Sequence, residues 1–236
     1  MIPKKIHYIW FGGNPLTPLA EKCIASWRKY CPDYEIVRWD ESNFDIFLNR
    51  YCQEAYEAKK WAFASDYARL WVLVNEGGIY MDTDVELLRS LDDFLELQSF
   101  SGFEAYDRLP TGLMASCRQQ SFFVKLLNDY DDRRFVLPDG SFDLTTNVES
   151  ITKACVDAGA VLDNSKQTVE GFTLFPSDYF CPKDPADLKL HLTENSYAIH
   201  HFDGSWVTPK ERFHRKIAML IGPRMTSLAK KILKRS

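Results

Sequence analysis

Apolar and polar positions alternate with two different periods along this chain, and the change of period marks its central stretch. Residues 61–87 read WAFASDYARLWVLVNEGGIYMDTDVEL. Ala62, Ala64, Leu70, Val72, Leu73 and Val74 make one long apolar-rich segment that suits a helix, with Asp66 and Arg69 embedded in it. Gly77 and Gly78 end it, because glycine takes the backbone angles a helix terminus needs. Ile79, Tyr80 and Met81 then suit a short buried strand, and Asp82 and Asp84 follow with Thr83 between them. If the strand continued, residues two apart would share a face and both carboxylates would point into one site.

The flanking segments repeat the strand–helix rhythm. Ile6, Tyr8 and Trp10 alternate with His7, Ile9 and Phe11, and Gly12-Gly13 stops the strand. Residues 18–30 fit a helix, which Cys31-Pro32-Asp33 breaks, and Tyr34 to Trp39 reads as a strand. Short helices are expected over 43–60, with Tyr51, Tyr56 and Lys59 on polar surfaces. Beyond Asp84 the pattern predicts strands over 100–105 and 113–115, and helices over 122–130 and 151–158. Glu170 to Pro176 reads as an edge strand stopped by proline, and 178–187 as a loop. In Tyr197-Ala198-Ile199-His200-His201, the residues Tyr197, Ile199 and His201 share one strand face and His200 takes the other. Strands alternating with helices predict an α/β fold around a mainly parallel sheet.

Composition narrows the picture without changing it. The 236 residues suffice for one substantial domain, and 45% hydrophobic with 26% charged residues is ordinary for a globular protein. A formal net charge of -4 gives no global case for nucleic-acid binding. The six cysteines show no zinc-type spacing, so packed thiols are expected. The chain enters at once into MIPKKIHYIWF without a long apolar region, so a cytoplasmic protein is expected.

The carboxylates carry the candidate chemistry. Two close carboxylates repel one another and call for a cation or a proton. Oxygen-rich ligation suits Mg2+ or Mn2+, completed by substrate phosphates and water, although a solvated turn produces the same spacing. Asp66 and Arg69, three apart, share a helix face. Charges in an apolar helix need either a structural ion pair or a task.

The run Ala64-Ser65-Asp66-Tyr67-Ala68-Arg69 through Gly77-Gly78-Ile79-Tyr80-Met81-Asp82-Thr83-Asp84 resembles glycosyltransferase family 32. That family contains capsular and oligosaccharide sugar transferases and Golgi mannosyltransferases, and its pattern recurs in large clostridial glucosylating toxins. The resemblance covers the N-terminal half, resumes near His201 and is weaker between about residues 118 and 189. It implies a GT-A-like catalytic domain over 1–208, a nucleotide-sugar donor (a UDP-sugar rather than a GDP-sugar) and retention of anomeric configuration. By the same resemblance, Asp82, Asp84 and His201 would hold Mn2+ or Mg2+. Asp66 and Arg69 would hold donor hydroxyls, and Asp82 would touch the ribose or the metal. Trp10 would stack on the donor base, Asn147 would approach the donor sugar, and Ser205 with Trp206 would close over phosphate. Three of these have a plainer alternative: a core tryptophan at Trp10, a helix cap at Asn147, a structural histidine at His201.

The implied activity is metal-dependent transfer of a sugar to a saccharide or lipid-linked acceptor, in making capsule or other surface polysaccharide or glycoconjugate. A nucleotide-sugar hydrolase, a nucleotidyltransferase and a non-catalytic carbohydrate-binding protein are the alternatives. Residues 209–236 change character. Nine basic residues face the single acid Glu211, interleaved with Phe213, Ile217, Leu220, Ile221, Leu228, Ile232 and Leu233. A basic amphipathic helical extension is expected, either packed on the catalytic domain or in peripheral contact with an anionic membrane at its inner face.

Overall fold

A computed structural model describes residues 1–204 except 106, 110, 111 and 185–188. The expected tail over 209–236, the domain boundary before it, Ser205 and Trp206 all lie outside the described residues.

The chain is organised around a seven-stranded sheet built from β1 (Lys5–Ile9), β2 (Glu35–Trp39), β3 (Gly78–Met81), β5 (Ser99–Gly102), β6 (Leu113–Ser116), β7 (Gln167–Val169) and β8 (Phe172–Phe175), in the order β2-β1-β3-β6-β5-β8-β7. β2, β3, β5 and β8 run with β1, whereas β6 and β7 run against it. This is a mixed α/β fold with a mainly parallel central sheet. A separate two-stranded sheet pairs β4 (Val85–Leu87) with β9 (Ala198–His200), antiparallel.

Alternation along each strand divides the core into two layers. Ile6, Tyr8, Ile79, Met81, Leu113 and Ala115 pack on one side with Cys23, Ile24 and Trp27 of α1 (Pro18–Tyr30). Ile9, Tyr80 and Met114 point to the other. There they meet α2 (Arg50–Glu57), α3 (Trp61–Asn75), α4 (Ser121–Asn128) and α5 (Asn147–Asp157). α1 starts where Thr17 Oγ1 accepts from Ala20 N, with Pro18 at the first helical position. Gly77 and Gly78, at φ +66° and +99°, turn α3 into β3, and a Cβ on Gly78 would come within 2.8 Å of Lys5 O. Only glycine fits that approach.

Three expectations fail for identifiable reasons. Phe172–Phe175 is internal, because Gln167–Val169 forms a further strand outside it. The hairpin between them turns at Glu170 and Gly171, both at positive φ, a two-residue connection that matches strand twist. Within 178–187, expected as loop, Ser177–Phe180 winds into a single helical turn, α6. Tyr51 is not on a polar surface: it is fully buried, edge-on to Tyr130 and Phe135. Its ring is large enough for the core to claim it despite the hydroxyl.

Candidate active site

The site gathers where β3 leaves the sheet, beside the parallel neighbour β1. Asp82 donates its backbone N–H to Gly112 O at 2.7 Å, and Val85 N–H closes back onto Asp82 O at 3.0 Å. Asp82-Thr83-Asp84 is therefore a tight turn joining β3 to β4. The carboxylates converge as expected, but a reverse turn brings them together rather than the pleat of an extended strand.

On the Asp82 side the groups come from α3 and its neighbours. Arg69 Nη1 lies 3.4 Å from Asp82 Oδ1, and Arg69 Nη2 lies 3.2 Å from Asp66 Oδ1. The guanidinium sits 4.6 Å above the Tyr80 ring, and Tyr80 O–H donates to Asp82 Oδ1 at 2.6 Å. Asp66 and Arg69 are both buried, so each charge depends on the other. Burial pushes the Asp66 carboxyl up to about 6; Arg69 pulls it down and Asp82 pushes it further up. Burial opposes charge on Arg69 as well, and Asp82, Tyr80 and Asp66 more than offset it.

Asn147 joins this side from far along the chain. Its backbone N–H donates to Asp66 Oδ2 at 3.3 Å and its side-chain amide to Asp66 O at 3.4 Å. The helix cap is not Asn147 but Thr146, in a capping box with Glu149. Asn147 is the first residue of α5, so Asp66 receives the positive end of an eleven-residue helix. The Asn147 side-chain oxygen is buried without a hydrogen bond among the described residues.

The Asp84 side is closed by β9. His200 Nε2 lies 3.4 Å from Asp84 Oδ1, and Asp203 N–H donates to Asp84 Oδ2 at 2.9 Å. Burial would raise the Asp84 carboxyl; His200 and the Asp203 N–H overcome it and hold it at about 2. Burial likewise opposes a proton on His200, and Asp84 carries its pKa well above the ordinary imidazole value.

The structure brings His200, not His201, to the carboxylates. His201 Nε2 contacts Glu86 Oε2 at 2.8 Å, and Lys22 shares that carboxylate at 2.7 Å. Strand pairing decides this. β9 lies on β4 with Val85 opposite His200 and Leu87 opposite Ala198. Val85, Leu87 and Ala198 are buried, so His200 faces inward with them, and His201 falls on the Glu86 side. Glu104, which the sequence pattern did not single out, also reaches this side: its Oε1 lies 4.0 Å from His200 Nδ1. The sequence reading places it inside an expected strand over 100–105, whereas β5 ends at Gly102 and leaves Glu104 in the connection beyond.

Trp10 follows β1 at the same end of the sheet as Asp82. It is half-buried, and its indole N–H donates to Asn14 O at 2.6 Å.

Asp82, Asp84 and His200 each offer a ligand atom, all within 4.8 Å of one another. Two carboxylates and one imidazole suit a hard or borderline divalent cation such as Mn2+. The crowding of the two carboxylates fits that cation, whose charge would relieve their repulsion.

Residues 18–101 match the family described as the glycosyltransferase sugar-binding region containing the DXD motif. The match contains Asp66, Arg69, Asp82 and Asp84, and stops short of Asn147 and His200. The chain is 28% identical over 140 residues to inositol phosphoceramide mannosyltransferase 3 of Schizosaccharomyces pombe, covering 54% of this chain and 37% of that one. It is 33% identical over 116 residues to an uncharacterized glycosyltransferase of Acanthamoeba polyphaga mimivirus, covering 45% and 44%. The chain thus spans less than half the length of these two relatives. Among solved structures, the PaToxG glycosyltransferase superposes with a TM-score of 0.51 at 21% identity, over 66% of this chain and 68% of that one. A glycosyltransferase involved in glycosylating the major capsid of PBCV-1 superposes at 0.50 and 10% identity, over 90% and 99%. The two structures show that this chain shares their fold, and the two sequence relatives are a mannosyltransferase and an uncharacterized glycosyltransferase by name.

Proposed function

We propose that this chain is a metal-dependent, retaining glycosyltransferase of family 32 that moves a hexosyl group from a nucleotide sugar to a saccharide or lipid-linked acceptor. The observation that carries the proposal is the convergence of Asp82, Asp84 and His200 beside the buried Asp66–Arg69 pair, within a chain whose sequence relatives are glycosyltransferases. Asp82, Asp84 and His200 would hold Mn2+ or Mg2+. When bound there, the cation supplies positive charge against a leaving diphosphate. Arg69 is fixed by two carboxylates and a ring, so it is preorganised to donate to the donor sugar without reorganising. Asp66 accepts from donor hydroxyls on the same side, and Asn147, anchored on Asp66, offers its unpartnered amide oxygen to them. Trp10 at the end of β1 is the group for the donor base, with UDP preferred.

Retention is supported by the family resemblance alone. A same-face displacement in which the leaving phosphate takes the acceptor proton would need no protein nucleophile. The lipid-linked acceptor is supported by the name of the fission-yeast mannosyltransferase. Synthesis of capsule or other surface glycoconjugate at the inner face of a membrane belongs to the same proposal.

The test is a screen of nucleotide sugars for release of nucleoside diphosphate with Mn2+, with Mg2+ and with a chelator, followed by product analysis with and without acceptor. We expect release with at least one donor, abolished by the chelator and stimulated by acceptor. Release unaffected by acceptor would make the protein a hydrolase, and no metal-dependent release from any donor would overturn the proposal.

A further inference from the structure

We propose that Glu104 is the positioning residue of the metal centre: it receives the Nδ1–H of His200 and so presents Nε2, unprotonated, to the cation. This rests on the metal assignment made above and extends it to a residue outside the ligand set.

The orientation of the His200 ring argues for it. Nε2 faces the carboxylates, 3.4 Å from Asp84 Oδ1. Nδ1 faces inward, is sealed from solvent and has no hydrogen-bond partner among the described residues. An imidazole that ligates through Nε2 carries its proton on Nδ1, and that N–H needs an acceptor once water cannot reach it. The Glu104 carboxylate is the charged acceptor on that side, 4.0 Å away, and only 13% of its side chain is exposed. Closing about 1 Å makes the bond, and a longer reach before loading is ordinary at such sites. The Cys181 thiol also lies against His200, but a thiol is a weak acceptor and its own contact is with Lys183 O at 3.9 Å.

The ring has little freedom to choose otherwise. A Cβ on Gly112 would stand 3.1 Å from Nδ1 and 3.2 Å from Cε1, so the ring lies flush against that glycine. Phe202 packs on it with centroids 4.2 Å apart. Glu104 itself is held by its backbone N–H on Arg108 O at 2.9 Å. A third carboxylate beside Asp82 and Asp84 adds repulsion, so its place there calls for a positive partner. The His200 N–H provides one. A carboxylate on the far nitrogen of a metal-bound histidine fixes the tautomer and raises ligand basicity, and its loss typically costs 10- to 100-fold in metal affinity.

The test titrates Mn2+ alone, read by the electron paramagnetic resonance of free Mn2+, into wild type, Glu104→Gln, Glu104→Ala, His200→Ala and the double variant His200→Ala/Glu104→Ala. Glu104→Gln keeps the shape and reports the charge. We expect the dissociation constant to rise about tenfold in Glu104→Gln and up to about a hundredfold in Glu104→Ala. In the His200→Ala background, Glu104→Ala should add less than a twofold change, because the residue acts through the ring. Nitrogen-15 spectra of the Mg2+-loaded wild type should show His200 protonated on Nδ1 only. Wild-type affinity in both single Glu104 variants overturns the inference. An equal loss with and without His200 also overturns it, since Glu104 would then be a ligand or a bare charge. Failure of wild type to bind Mn2+ would instead overturn the metal assignment on which this inference stands.

Discussion

Asp82 and Asp84 are two residues apart, yet the surroundings of the two carboxylates are built in different ways. Asp82 is held by Arg69 and Tyr80, which with Asp66 all lie within one continuous stretch of chain. Asp84 is held by His200 and Asp203, more than a hundred residues away, through the pairing of β4 with β9. The Asp82 side is a buried ion-pair network that the fold needs as much as any reaction does. The Asp84 side brings the Asp84 and His200 atoms that, with Asp82, could hold a cation. Damage to the first should cost structure and activity together, whereas damage to the second should cost activity more than structure.

The largest expected effect follows from Arg69→Met. It leaves Asp66 and Asp82 without their shared cation in a buried place, a loss of about 3–5 kcal/mol. We expect a strongly lowered unfolding midpoint together with lost transfer. A variant that melts like wild type would show the network to be dispensable to the fold and would erase the contrast. Next comes Asp84→Asn, which nearly keeps the shape. Turnover should fall about 100- to 1,000-fold, a barrier of about 3–4 kcal/mol, with native circular dichroism and a smaller drop in melting than in Arg69→Met, since Asp84 also balances the charge of His200. Wild-type turnover at limiting Mn2+ would remove Asp84 from the ligand set.

The third prediction concerns the turn that leads α3 into β3. His7 Nε2 contacts Gly77 O at 2.8 Å, and Trp39 Nε1 donates to His7 Nδ1 at 3.1 Å. The ring is therefore neutral, with its proton on Nε2. Burial lowers its pKa from 6.5 to about 4, against the pull of Gly77 O. Between those values the unfolded chain binds the proton that the folded chain refuses. Stability is thus full above about pH 6.5 and falls as pH drops toward 4, by about 3 kcal/mol in all. Denaturant titrations across that window should show the slope in wild type and a shallower one in His7→Gln. Identical slopes would mean that other groups govern the acid sensitivity.

The smallest effect separates the adjacent histidines. His200→Ala should weaken Mn2+ binding about 10- to 100-fold, consistent with loss of a ligand, and excess Mn2+ should recover part of the activity. His201→Ala breaks a contact with Glu86 that Lys22 still shares, so its Mn2+ affinity should stay within about twofold of wild type. The reverse result would return the ligand role to His201.

Local patterns settled much of this protein in advance. The apolar period of residues 61–81 and the paired glycines fixed α3, its end and β3, because those features act over one or two turns of chain. They also put Asp66 and Arg69 on one helix face and Asp82 at the end of a strand, which is the whole of the Asp82 side except Asn147. The helix over 18–30 was legible for the same reason, with proline at its start and Cys31-Pro32 after it.

Tertiary structure decided what depends on distant partners. Alternation shows that His200 and His201 face opposite ways, but not which way is inward; only Val85 and Leu87, opposite on β4, determine that. The polar Gln167–Val169 strand became visible through its hairpin with β8, since its side chains carry little apolar signal. Tyr51 moved from surface to core because Tyr130 and Phe135 arrive from another part of the chain. Glu104 stands beside His200 only because the chain beyond β5 meets β9's last residue in space. A sequence states its periods and its caps; which faces meet is set by the free energy of packing the whole chain at once.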